Sequence, residues 1–189
     1  MTPIPASIHS PLARGLPQAF YVGLKGVALM SAKIDIAALA SVIGSMYPPP
    51  FHEPCRTRSR KRLGDAAGLT QFGVNLLTLP PGAWSSQRHW HTLEDEFVFV
   101  LTGEVTLVTD AGEEVLRPGD CAGFKAGEPN GHSLRNLSGK DATVLEIGSR
   151  IEGDGAFYPD IDLVAPGDEK PAIYTHRDGT AYEDIRRRS

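Results

Sequence analysis

The stretch Gly82-Ala83-Trp84-Ser85-Ser86-Gln87-Arg88-His89-Trp90-His91-Thr92-Leu93-Glu94-Asp95-Glu96-Phe97-Val98-Phe99-Val100-Leu101-Thr102-Gly103 decides how the chain is read. His89 and His91 are two residues apart, and in a strand such residues point to one face, so both imidazoles can reach one point. Glu96 stands at the head of the apolar run Phe97–Leu101. A strand, a tight connection and a returning strand bring its carboxylate beside the two histidines. Two imidazoles and a carboxylate on one spot suit a divalent transition metal.

A second block runs from Gly119 to Asn136 and holds Pro129, Gly131 and His132. Together the two blocks resemble the motifs of the cupins. Gly82, His89, His91, Glu96 and Gly103 match the first motif, a glycine, His-x-His, a glutamate and a glycine. Gly119, Pro129, Gly131, His132 and Asn136 match the second, except that His132 follows Gly131 directly, without the usual short gap. The resemblance implies an all-β fold, a single double-stranded β-helix or jelly-roll barrel. It makes His132 the fourth ligand beside His89, His91 and Glu96, all holding one divalent metal. Manganese, iron, nickel, zinc and copper all suit such a set. It also implies a homodimer, since cupins commonly pair. For the reaction the motifs say little, because one fold hosts many functions.

The bulk numbers bound the rest. A chain of 189 residues suits one domain with extensions, and 41% hydrophobic residues are enough for a core. A formal net charge of −4 gives no general affinity for nucleic acid or an anionic membrane. Cys55 and Cys121 form neither a disulfide framework nor a Cys-x-x-Cys pair, which fits a reducing, cytoplasmic setting. No apolar run has the length of a membrane span.

Along the chain, residues 1–29 are rich in Pro and Gly and read as a disordered extension. Residues 30–65 read as a helix and a linking arm. Ile36, Leu39, Ala40 and Ile43 fall at helical spacing, so a short amphipathic helix is expected over Lys33–Gly44, with Pro48–Pro50 forcing an extended linker after it. The basic run Arg56–Arg62 reads first as a solvated edge strand, and second as a source of arginines for a substrate anion. Residues 66–150 read as the barrel, with strands expected over Gln71–Leu79, Ser85–His91, Glu96–Leu101, Val105–Thr109, Glu114–Leu116, Cys121–Phe124, His132–Leu137 and Ala142–Gly148. Residues 151–189 read as an extended strap and a tail, with Arg186–Arg188 a disordered end.

Strand parity places Ser85, Gln87, Val98, Val100 and Asn136 on the inner face with the ligands. Phe97, Phe99 and Leu101 then point outward, where a terminal arm or a second subunit must cover them. Gln87 and Asn136 are the polar anchors expected for substrate. A proton carrier is also needed for catalysis, and Glu94, Asp95 and Tyr158 are the available candidates. Two functional classes follow. The first is a metal-dependent enzyme on a small polar molecule, with a sugar or sugar-phosphate isomerase favoured by the resemblance and a dioxygenase as its alternative. The second is a non-catalytic ligand-binding or sensor module.

Overall fold

A computed structural model describes residues 33–167 and 173–186. The extension expected over 1–29 lies outside the described residues. In chain order the strands are β1 (Val42–Ile43), β2 (Ser59–Arg62), β3 (Phe72–Leu79), β4 (Trp90–His91), β5 (Glu96–Thr102), β6 (Val105–Thr109) and β7 (Gly112–Leu116). They continue with β8 (Cys121–Phe124), β9 (Ser133–Arg135), β10 (Ala142–Ser149), β11 (Ala156–Tyr158), β12 (Leu163–Ala165), β13 (Ile173–Thr175) and β14 (Ala181–Arg186). One short helix, α1 (Leu63–Ala66), precedes the barrel. The fold is all-β, as the motifs imply.

Apolar, β-rich strands build the framework. β3, β5 and β10 pair antiparallel in the centre of a six-stranded sheet of order β1-β2-β3-β10-β5-β8. A three-stranded sheet, β7-β6-β9, faces it. Leu77, Leu79, Val98, Val100, Val105, Leu107, Leu134 and Val144 close the core between them. Each fully buried aliphatic side chain there contributes about 1.5–3 kcal/mol of transfer free energy. Gly103 ends β5 at φ 72°, where a Cβ would lie 2.5 Å from the Asp141 carbonyl oxygen, so only glycine can make this turn.

The third sheet, β14-β13-β12-β11-β4, was not foreseen. The expected strap is a set of short strands docked on the barrel through β11 and β4, with Ala156 opposite His91 and Phe157 opposite Trp90. Tyr47, Cys55, Tyr158, Leu163 and Tyr174 fill a second core beneath it. Arg186 closes β14, and the rest of the expected disordered end lies outside the described residues.

Two further expectations are corrected. Lys33–Gly44 is not a helix. Asp35 accepts from the amides of Ala37 and Ala38, making a turn, and Ile36 is exposed with no face to pack against. The chain instead extends Val42–Ile43 along β2, opposite Arg60 and Ser59. The basic run is not wholly solvated either. Arg58 is buried and donates to the Gly44 carbonyl. Arg60 lies on the core-facing side of β2, paired in register with Leu77, and forms an ion pair with Glu146 through Nε at 2.6 Å and a hydrogen bond from Nη2 at 2.8 Å.

Candidate metal centre

Three segments build the centre. β5 carries Glu96, held between Gly148 of β10 and Phe124 of β8. The segment Ser85–His91 carries His89 and His91. It is not the continuous strand expected: only Trp90–His91 is strand, and residues 85–88 are bends. Trp84 bridges Arg135 and His89 bridges His132, so five steps on one side face three on the other and two extra residues bulge out. His89 and His132 exchange both backbone hydrogen bonds, at 3.1 and 2.8 Å, so their side chains share a face.

The result is a convergence of four side chains. Glu96 Oε2 is 2.8 Å from His132 Nε2, 3.6 Å from His91 Nε2 and 3.8 Å from His89 Nε2. The donor atoms of His89, His91 and Glu96 all lie within 4.8 Å of one another. Behind the imidazoles, His89 Nδ1–H donates to the Gln87 carbonyl at 2.9 Å, and His91 Nδ1–H donates to Asp154 Oδ2 at 2.5 Å. Both bonds place the proton on Nδ1 and leave the Nε2 lone pair facing Glu96. His132 is fixed by its Nε2–H, which donates to Glu96 Oε2 at 2.8 Å, and by stacking on Phe124, with centroids 3.5 Å apart and planes 1° apart.

The electrostatics follow the geometry. Burial pushes the His89 imidazole down to about 3, against the pull of the Glu96 charge, so it stays neutral near pH 7. Burial also works to lower His91, but the Asp154 hydrogen bond and the Glu96 charge outweigh it and leave His91 raised. Burial works to raise Glu96, yet the three imidazoles hold it well below the usual carboxylate range. The site is therefore an ionised carboxylate that accepts from His132 Nε2–H at 2.8 Å, with the Nε2 atoms of His89 and His91 facing it. It opens to the surface between Trp90, Glu94, Lys125, Glu128 and Asn130.

The other sequence candidates fall in different places. Glu94 lines the opening, and its Oε1 accepts from the Ile151 amide at 2.9 Å. Tyr158 is buried and stacks on His89, with centroids 5.6 Å apart. Asp95 ties down the Ala126 amide. Gln87 donates to the Phe51 carbonyl at 2.6 Å, and Asn136 is fully buried among loop carbonyls. Neither Gln87 nor Asn136 lines the opening. Sequence reasoning missed Asp154, which sits 63 residues from its imidazole partner, and it missed the stacking role of Phe124.

Comparison with known proteins agrees with this arrangement. The family description "Cupin domain" matches residues 75–148. A crystal structure from Silicibacter pomeroyi, described as a sugar phosphate isomerase from a cupin superfamily, is 45% identical, with a TM-score of 0.77, 80% of this chain covered and 97% of that one. A provisionally assigned sugar phosphate isomerase from Acidithiobacillus ferrooxidans is 31% identical, with a TM-score of 0.61, covering 70% of this chain and 81% of the other. The polyketide cyclase RemF from Streptomyces resistomycificus, at 20% identity, TM-score 0.51 and coverage of 64% and 80%, shares the fold alone. No protein of curated function matches the chain. With its barrel, its two motifs and these relatives in agreement, the chain belongs to the cupin superfamily.

Proposed function

We propose that this cupin holds one divalent transition metal through His89, His91, Glu96 and His132 and acts as an isomerase on a sugar or sugar phosphate. The observation that carries the reading is the meeting of three Nε2 atoms at one carboxylate oxygen. The donor set fits such an ion. Two imidazoles are already held in the tautomer a metal requires, and the carboxylate is ionised across the working pH range. A bound ion supplies Lewis acidity, polarising a substrate oxygen. The protein's own groups do the rest. Glu94 stands at the opening as the proton carrier, and Lys125 on the same rim offers a cation to a phosphate. Tyr158 supports His89 from behind. The crystal structures described as sugar phosphate isomerases at 45% and 31% identity support the substrate class.

The proposal includes a homodimer formed through the outer face of the central sheet. It also includes a reducing, cytoplasmic location, in keeping with the free cysteines Cys55 and Cys121. Among the described residues no helix is long and apolar enough to cross a membrane.

The test is metal analysis of untagged protein, followed by an assay of aldose and ketose phosphates before and after chelation. One metal per chain and turnover lost on chelation are the expected results. A metal-free protein with intact fold would overturn the assignment. Metal without turnover on any sugar phosphate would move the protein to the non-catalytic binding class. Iron with oxygen consumption would move it to the dioxygenases.

A further inference from the structure

The family domain ends at residue 148, and the chain then makes a tight return through Gly153-Asp154-Gly155 into β11. That return brings a carboxylate from outside the domain against one of its histidines. Asp154 is buried, and three donors of one loop hold its Oδ1: the Leu93 amide at 2.8 Å, the Glu94 amide at 3.1 Å and the Thr92 hydroxyl at 3.3 Å. These bonds fix the carboxylate whatever His91 does. Oδ2 is then left for His91 Nδ1, at 2.5 Å. The Thr92 hydroxyl also accepts from the Gly155 amide, and β11 pairs with β4, so the carboxylate and the imidazole sit on one rigid unit.

We infer that Asp154 is a positioning residue: it holds His91 in the Nδ1–H tautomer, with the Nε2 lone pair aimed at the Glu96 carboxylate, and so sets how tightly the site binds metal. The part concerning affinity rests on the metal reading above; the tautomer does not. A carboxylate only accepts, so the proton between the pair must sit on His91 Nδ1. An asparagine at 154 would keep its carbonyl on the Leu93 and Glu94 amides and turn its N–H toward His91. Nδ1 must then accept, the proton moves to Nε2, and the lone pair facing Glu96 is lost.

The experiment compares wild type with Asp154→Asn. Imidazole proton–nitrogen NMR correlation on metal-free protein at mildly alkaline pH reads the tautomer. Competition against a chromophoric chelator reads zinc affinity, and thermal melting reads the fold. Expected are Nδ1–H for His91 in wild type, Nε2–H in the variant, and zinc affinity lowered by about 10–100-fold in a folded protein. An unchanged tautomer, or affinity within about threefold in the folded variant, would overturn the inference. If Asp154→Asn does not fold, wild type alone decides, since Nε2–H on its His91 is incompatible with the assigned role. Wild type that binds no zinc yet shows Nδ1–H would sink the metal reading and leave the positioning of His91 standing.

Discussion

Asn136 has both hydrogens and its oxygen fully committed. Its amide donates to the Leu79 and Lys140 carbonyls, each at 2.7 Å, and its oxygen accepts from the Ser138 amide and hydroxyl. The side chain thus closes the loop between β9 and β10 from inside. Removing it takes the side-chain donor from the buried Leu79 carbonyl, at about 1–3 kcal/mol, while the Lys140 carbonyl keeps the Ser138 hydroxyl at 3.0 Å. Asn136→Ala is therefore expected to destabilise the fold by about 1–3 kcal/mol in denaturant unfolding, while the metal content of the folded fraction stays that of wild type. Loss of substrate affinity without loss of stability would instead make Asn136 a substrate anchor. Its inward parity was readable from the sequence. What was not readable is that inward here means the closed end of the barrel, because a count of residues along β9 gives face but not depth. His89, His91 and Glu96 were readable for the opposite reason: they are separated by short connections, so local spacing fixes their meeting, whereas His132 was legible only through the resemblance of the second motif. Asp154 was hidden because its partner lies on a different strand, across a pairing that local pattern does not encode.

At the scale of elements, the strap is held to the barrel by charge as well as by β-pairing. Arg88, mostly buried, grips both oxygens of Asp160 at 2.6 and 2.8 Å and also pairs with Asp110. The Arg88 hydrogen bonds hold the Asp160 carboxyl below its ordinary range, although burial works the other way. A carboxyl with a depressed folded value stabilises the native state above the ordinary value of about 4 and loses that contribution as pH falls through the folded one. Asp160 is half exposed, so the contribution is no more than about 1 kcal/mol. Amide protection factors over β11 and β12 are expected to drop at pH 3 relative to pH 7 while those of β3 and β10 hold. Asp160→Asn should reproduce that difference at pH 7. Equal protection of the strap at both pH values, with the variant indistinguishable, would remove the charge clamp. Long strands such as β3, β5 and β10 were legible because β-branched and apolar residues dominate seven- or eight-residue segments bounded by turn residues. The three-residue strands β11, β12 and β13 carry too few alternations to be seen, and only their partners make them strands. The helix expected over Lys33–Gly44 failed because its apolar spacing had no surface to pack on, and helical propensity alone does not hold so short a segment.

The whole molecule presents one face that the described chain does not cover. On the outside of the central sheet, Val74, Ile147 and Phe97 stand in one cross-strand row and Leu76, Leu145 and Phe99 in the next, with Lys61 of β2 at the end of the second row. Phe97 and Leu101 remain 41% and 42% exposed. An apolar face of this kind suits a second copy of itself, since a two-fold axis sets the apolar rows of one copy against those of the other. The same strand turns Val98 and Val100 into the core, so a dimer through this face would bury β5 on both sides and brace the strand that carries Glu96. Such an assembly and the candidate metal centre would then be linked through one element. Light scattering on purified protein is expected to give the mass of two chains. The double variant Phe97→Glu, Leu101→Glu is expected to give one chain with the barrel's circular dichroism unchanged and a lower melting temperature. A monomeric wild type would refute the pairing, and a dimer that survives both glutamates would place the interface on another surface of the barrel.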